Sequence, residues 1–201
     1  SVEQDVQPDI LAMIGSSAAL AISEIREAFQ KAGALAHPDG ASGDPDQADR
    51  TEAFTRLSEA HTLLSSVPRR LRHLLELTYP ETAAAKTGAV MDGLMMDLFS
   101  TTGSAVQRAA AVQAKKQKAS SALTKAMLAG EEMQAQENLE AATQKVEAAH
   151  AILEADLAAI DAAMAAGKDA AAALQSAAAR AGFLEKWQAQ LRAAFAGFFA
   201  A

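Results

Sequence analysis

Apolar residues recur at helical spacing from one end of the chain to the other. Ile10, Leu11 and Ile14 mark a short first helix that Pro8-Asp9 can open and Gly15 can end. Ile25, Phe29 and Ala32 fall at i, i+4 and i+7, with Arg26, Glu27, Gln30 and Lys31 on the other faces. A third helix is expected from about Gln47 to Ser65, with Phe54, Leu57, His61 and Leu64 on one face. Pro68 starts a short fourth helix that carries Arg69, Arg70 and Arg72, and Tyr79-Pro80 closes this first region. Beyond Ala83 nearly every residue is a helix former, and no proline follows Pro80. Gly130 and Gly167 are the expected breaks, giving helices at about 89–129, 131–166 and 168–199. In the second of these, Leu139, Val146, Leu153, Leu157, Ile160 and Met164 lie close to heptad spacing. The expected fold is all-α, with two parts: residues 8–79 as four helices and residues 83–201 as a long antiparallel three-helix bundle or coiled coil.

One interruption in this pattern carries chemistry. Proline disfavours αR for the residue before it, so the helix bearing Ile25 and Phe29 stops near Ala36 and His37 turns outward at Pro38. Asp39-Gly40 then favours a turn, and Gly40 to Asp46 is a loop by composition. An imidazole and a carboxylate thus arrive together at a rigid, exposed corner.

Composition narrows what such a corner can do. The 201 residues include no cysteine, which excludes disulfides, CxxC redox chemistry and thiolate metal sites and fits a reducing compartment. The net charge of -7 disfavours nucleic acid and anionic membranes as general partners. No apolar run approaches membrane-spanning length. The expected location is cytoplasmic. No phosphate-cradling glycine loop, nucleophile elbow or catalytic dyad is present, so no enzyme and no cofactor is expected. Glu147, His150 and Glu154 share helical ligand spacing, but one histidine and two carboxylates read as a solvated stripe, and no metal site is expected.

The stretch Glu24 to Gly40 resembles helix II and the HPD loop of J-domain co-chaperones, the DnaJ family. The resemblance rests on His37-Pro38-Asp39, on Ile25 twelve residues before the histidine, and on the pair Ala28-Phe29. Downstream, Phe54, Leu57, Glu59-Ala60 and Leu63-Leu64 precede Pro68-Arg69-Arg70 much as the third J-domain helix precedes the fourth. It implies that residues 8–79 form a J domain. It further implies that Asp39 pairs with an arginine of a DnaK-type heat-shock ATPase while His37 and Pro38 position it. Arg26 and Lys31 would add basic contacts from helix II. Such a contact stimulates hydrolysis in the partner and performs none itself.

A second resemblance covers short runs of the remaining chain. Arg72-His73-Leu74-Leu75-Glu76-Leu77, Leu94-Met95-Met96-Asp97-Leu98 and Gly182-Phe183-Leu184-Glu185-Lys186 are similar to segments of HscB, the co-chaperone of iron–sulfur cluster assembly. That family implies an HscA-type chaperone and an iron–sulfur scaffold protein as client, held through Leu94, Met95, Leu98, Phe99 and Phe183. Its first bundle helix carries glutamates where this chain has Phe99 and Thr102, and its helix II is richer in Lys and Arg. The alternative reading keeps the fold and drops the chaperone: a J-like scaffold whose bundle docks other proteins. Client, cognate chaperone and oligomeric state are left open by the sequence.

Overall fold

Helix is the only regular structure among the described residues of this computed structural model, which are 22–36, 47–85 and 91–199. The fold is all-α. In chain order the helices are α1 (Ile22–Ala36), α2 (Gln47–Leu64), α3 (Val67–Thr78), α4 (Pro80–Ala84), α5 (Gly93–Lys118), α6 (Ala122–Ala165) and α7 (Ala171–Ala196). The expected helix over residues 8–15 lies outside the described residues.

Helix α1 stops at Ala36, where the following His37-Pro38 requires it to stop. Its apolar stripe packs against α2. Ile25 and Leu64 are both buried with Leu63 against them, the Phe29 ring stacks on His61 at 4.2 Å, and Gly33 lies beside Phe54 and Leu57. Residue numbers rise on one helix as they fall on the other, so α1 and α2 form an antiparallel hairpin. Only Ser65 and Ser66 separate α2 from α3, and Pro68 occupies the first turn of α3, where its missing N–H costs nothing. Tyr79 ends α3 and Pro80 opens the five-residue α4.

Two glycines behave oppositely. Gly167 adopts φ +69 and ends α6 as the sequence predicts. Its N–H donates to the Met164 carbonyl, and the Lys168 N–H donates to the Ala163 carbonyl, a Schellman motif. Gly130, also expected as a break, lies inside α6 instead. The break comes at Ala119 to Ser121, where the Ser121 Oγ accepts from the Thr124 N–H at 3.1 Å and caps α6. A glycine inside a helix costs only about 1 kcal/mol relative to alanine, which a 44-residue helix absorbs. Gly93, placed inside a helix by the sequence pattern, is the first residue of α5, and Asp92 caps it by accepting from the Met95 N–H.

The chain groups into two compact units, each discontinuous in sequence: Ser1–Thr87 with Asp156–Ala178, and Gly88–Ala155 with Ala179–Ala201. In the first unit the Ala170 N–H donates to the Tyr79 hydroxyl at 3.2 Å, and Gln175 donates to the Thr82 carbonyl at 3.0 Å. The end of α6 and the start of α7 therefore group with the early helices rather than with residues 88–155. In the second unit a heptad-like series is buried on α6: Leu128, Ala135, Leu139, Ala142, Val146, Ala149 and Leu153. Alanine alternates with larger residues, so neighbouring helices approach closely. Met95, Leu98, Thr102, Ala105, Ala109 and Val112 form the buried face of α5. Lys115–Glu131, Lys116–Glu132 and Lys145–Asp97 tie α5 to α6, with N···O separations of 2.6 to 2.9 Å. Asp92–Arg180 and a hydrogen bond from Gln113 to the Ala194 carbonyl tie α5 to α7.

Candidate functional site

The α1/α2 hairpin positions the residues that the sequence singles out first. Ile25, Phe29, Ala32 and Gly33 turn toward α2, which leaves Arg26 and Lys31 exposed on the opposite surface of α1. Neither cation has an ion-pair partner among the described residues. His37, Pro38 and Asp39 lie outside the described residues, in the segment joining α1 to α2. His61 is half-buried beneath Phe29, and its Nε2 lies 3.2 Å from the Ser65 hydroxyl. It supports the hairpin, as its place in the apolar stripe predicts.

The three arginines of α3 have different environments. Arg69 and Arg72 are exposed, whereas Arg70 is buried. The Arg70 Nη1 donates to the Leu64 carbonyl at 2.8 Å, satisfying an orphan acceptor at the C-terminus of α2 and placing positive charge against the negative end of its dipole. Burial lowers its pKa, and the carboxylate of Asp161 from the end of α6 opposes that shift. The basic cluster therefore divides into one structural cation and two surface cations. Nothing in the spacing of the three arginines distinguishes them; only packing does.

Arg69 and Arg72, with His73 and Glu76, form the α3 wall of an open groove of about 650 Å3. Its α2 wall includes Phe54, Ser58, Glu59 and Leu63. The sequence pattern does not disclose this groove, because apart from Phe54 its lining comes from the sides of two helices rather than from their apolar stripes.

The second set of candidates divides between surface and core. Met95 and Leu98 are buried in the second unit, 2% and 1% exposed, whereas Leu94 and Phe99 are 40% and 58% exposed. Adjacent positions on one helix cannot all face one way, so Leu94, Met95, Leu98 and Phe99 do not form a single exposed stripe. Phe183 is half-buried and stacks on the buried Trp187, centroids 5.6 Å apart. Thr102 is buried with no partner for its hydroxyl among the described residues.

His150 is less exposed than its charged neighbours suggested. It is half-buried, and its Nε2 is covered without a hydrogen-bond partner among the described residues. Burial is the main cause of its lowered pKa; Arg192 lowers it further, while Glu154, Glu147 and Glu185 raise it. No group of three or more His, Cys, Asp or Glu suited to a metal ion occurs among the described residues. Asp92 has its pKa held down first by the Met95 N–H and then by Arg180.

Among the described residues no helix is long and apolar enough to cross a membrane. No family model matches the chain, and neither the curated proteins nor the solved structures contain a match to it.

Proposed function

We propose that this protein is a cytoplasmic, non-enzymatic co-chaperone. In this reading the corner His37-Pro38-Asp39 engages a DnaK/HscA-type heat-shock ATPase and stimulates its hydrolysis of ATP, while the long helices after residue 83 present a protein client. The observation that carries the reading is the α1/α2 hairpin. It is antiparallel, it ends α1 immediately before His37, and it leaves Arg26 and Lys31 exposed on α1 with no ion-pair partner among the described residues. A carboxylate at such a corner suits a charge-assisted bond to an arginine of the partner. Of the client-contact candidates, Leu94 and Phe99 have the exposure a contact needs, and an iron–sulfur scaffold is one client class to test.

The experiment is steady-state ATP hydrolysis by a DnaK-type chaperone of the same cell, with and without this protein. Asp39→Asn is expected to abolish the stimulation while leaving the far-ultraviolet circular dichroism unchanged. Equal stimulation by the variant and the parent chain would refute the role given to Asp39. Stimulation of no chaperone of that cell would favour the second reading, a J-like scaffold that docks other proteins. The sparse cations of α1 are the observation in its favour.

A further inference from the structure

The end of the second unit where α5 gives way to α6 has two features that its own packing does not account for. The first is apolar. Residues 121–127 are all exposed, nearly two helical turns, so the start of α6 projects with no side chain buried against a neighbour. The buried seam of α6 begins only at Leu128. Leu123 and Met127 lie one turn apart on this projection, and each is 73% exposed. The second feature is charge. From Leu98 to Gly130 the chain has no acidic residue but carries Arg108, Lys115, Lys116, Lys118 and Lys125. Lys115 and Lys116 reach Glu131 and Glu132, which fastens α5 to α6. Lys118 in the last turn of α5 and Lys125 in the first turn of α6 are exposed and make no ion pair among the described residues. Both nearby acids are thus engaged by lysines, and two further cations stand beside the exposed Leu123 and Met127 with no anion to offset them.

We propose that this hairpin tip docks on an anionic lipid surface. Leu123 and Met127 enter the boundary between headgroups and acyl chains, and Lys118 and Lys125 face the lipid anions. From Ala119 to Gly130 Lys125 is the one charged residue, so the tip can sink the ~5–10 Å that an interfacial helix reaches. The long stem of Lys125 lets its ammonium stay at headgroup level while its neighbours go deeper. An anionic leaflet attracts lysines held close to it. Charges more than ~10 Å away are largely screened at ~0.1 M salt, so the local cation excess outweighs the net charge of -7 in this contact. Two apolar side chains on a convex turn fall far short of the ~800 Å2 per partner that a stable protein–protein interface buries, whereas a lipid surface needs no matching shape. The contact lies on the membrane without crossing it, as no helix among the described residues is long and apolar enough to cross. The proposal does not rest on the co-chaperone reading, since it involves none of His37, Pro38 or Asp39.

The test is co-sedimentation of the full chain with vesicles of phosphatidylcholine containing about one-third phosphatidylserine, and with vesicles of phosphatidylcholine alone, at low and high salt. Binding is expected to the anionic vesicles only, and it should weaken as salt rises. Lys118→Glu with Lys125→Glu should weaken it about tenfold or more, and Leu123→Ser with Met127→Ser should do the same. Because the chain has no cysteine, Ser120→Cys can carry an environment-sensitive dye. Its emission should shift to the blue on anionic vesicles, while the same dye on Gln144→Cys, farther along α6, should not shift. Circular dichroism and melting of each variant check that the fold is kept, which the exposure of all these residues favours. Absence of binding to anionic vesicles, binding indifferent to both pairs of substitutions, or equal shifts of the two dyes would overturn the proposal. So would binding of an acidic helical peptide at the tip without any binding to vesicles, because a protein would then be the occupant.

Discussion

The two compact units use their charges differently. In the unit containing α1, α2 and α3, four exposed cations, Arg26, Lys31, Arg69 and Arg72, make no ion pair among the described residues. In the same unit Arg56 pairs with Glu52 along α2, and Arg70 is buried on the α2 C-terminus. In the unit built from α5 and parts of α6 and α7, Lys115, Lys116, Lys145 and Arg180 each reach an acid on another element, while Arg108, Lys118, Lys125, Lys186 and Arg192 are exposed without an ion pair among the described residues. Surface pairs of this kind contribute little individually, about 0–1 kcal/mol, beside the buried faces of α5 and α6. Charges tied between helices are spent on architecture; untied charges are available to a partner. Substitutions should accordingly change stability where a side chain is committed, and binding where it is free.

The largest effects should come from buried positions, one in each unit. Leu184→Ala removes a side chain 2% exposed in the second unit and should lower stability by about 3 kcal/mol. Arg70→Ala should cost about 1–3 kcal/mol in the first unit, because it leaves the Leu64 carbonyl without its donor. Arg69→Ala, one residue away, should stay within about 0.5 kcal/mol. Urea denaturation of the three variants decides the matter, and equal losses at positions 69 and 70 would erase the distinction between free and committed cations.

The glycines provide a paired test of smaller size. Gly167→Ala places a side chain at φ +69 and should cost about 1 kcal/mol. Gly130→Ala adds a methyl group that meets nothing within 4 Å, inside a continuous helix, and should raise stability by about 0.5–1 kcal/mol. Thermal melts of the two variants should therefore shift in opposite directions. A loss at Gly130 would mean that the chain turns there after all.

Asp92→Ala should cost about 1 kcal/mol through the lost cap of α5. Because the folded state holds this carboxyl below its ordinary pKa of 3.8, its stabilisation is present above that value and is lost as pH falls through the lower folded one. The stability difference between parent and variant should shrink on strong acidification.

The smallest effect belongs to His150. Burial keeps it neutral in the folded chain, so the unfolded chain takes up its proton first as pH falls below the usual 6.5. Its contribution to stability is complete above that value and declines below it, toward the lower folded pKa. His150→Leu should flatten the melting temperature over that range. A parent chain already flat there would show that the surrounding carboxylates compensate for burial.

The helix ends illustrate how much was legible. The end of α1 follows from Pro38 and the start of α3 from Pro68, because proline restricts backbone geometry locally. The sequence pattern predicts the break between α5 and α6 at Gly130, whereas it falls at Ala119 to Ser121. A signal was present: Lys115, Lys116 and Lys118 crowd the last turn of α5, where cations complement the helix dipole, and Ser121 caps α6. The helical penalty of Gly130 is modest beside both. The groove candidates were less legible. Arg69, Arg70 and Arg72 differ in burial because only the middle one reaches the Leu64 carbonyl at the end of α2, a tertiary fact absent from local spacing.

By itself the sequence determined the all-α class, the end of α1 before Pro38, and the heptad-like seam of α6. Each depends on the period of apolar residues or on proline and glycine, properties that act within a few residues. Tertiary structure alone decided that the end of α6 and the start of α7 group with the early helices, where Tyr79 and Thr82 accept hydrogen bonds from Ala170 and Gln175. It also decided which members of a run such as Leu94 to Phe99 are buried and which are exposed. The physical reason is that burial is a relation between elements: the same side chain is core or surface according to what packs across from it.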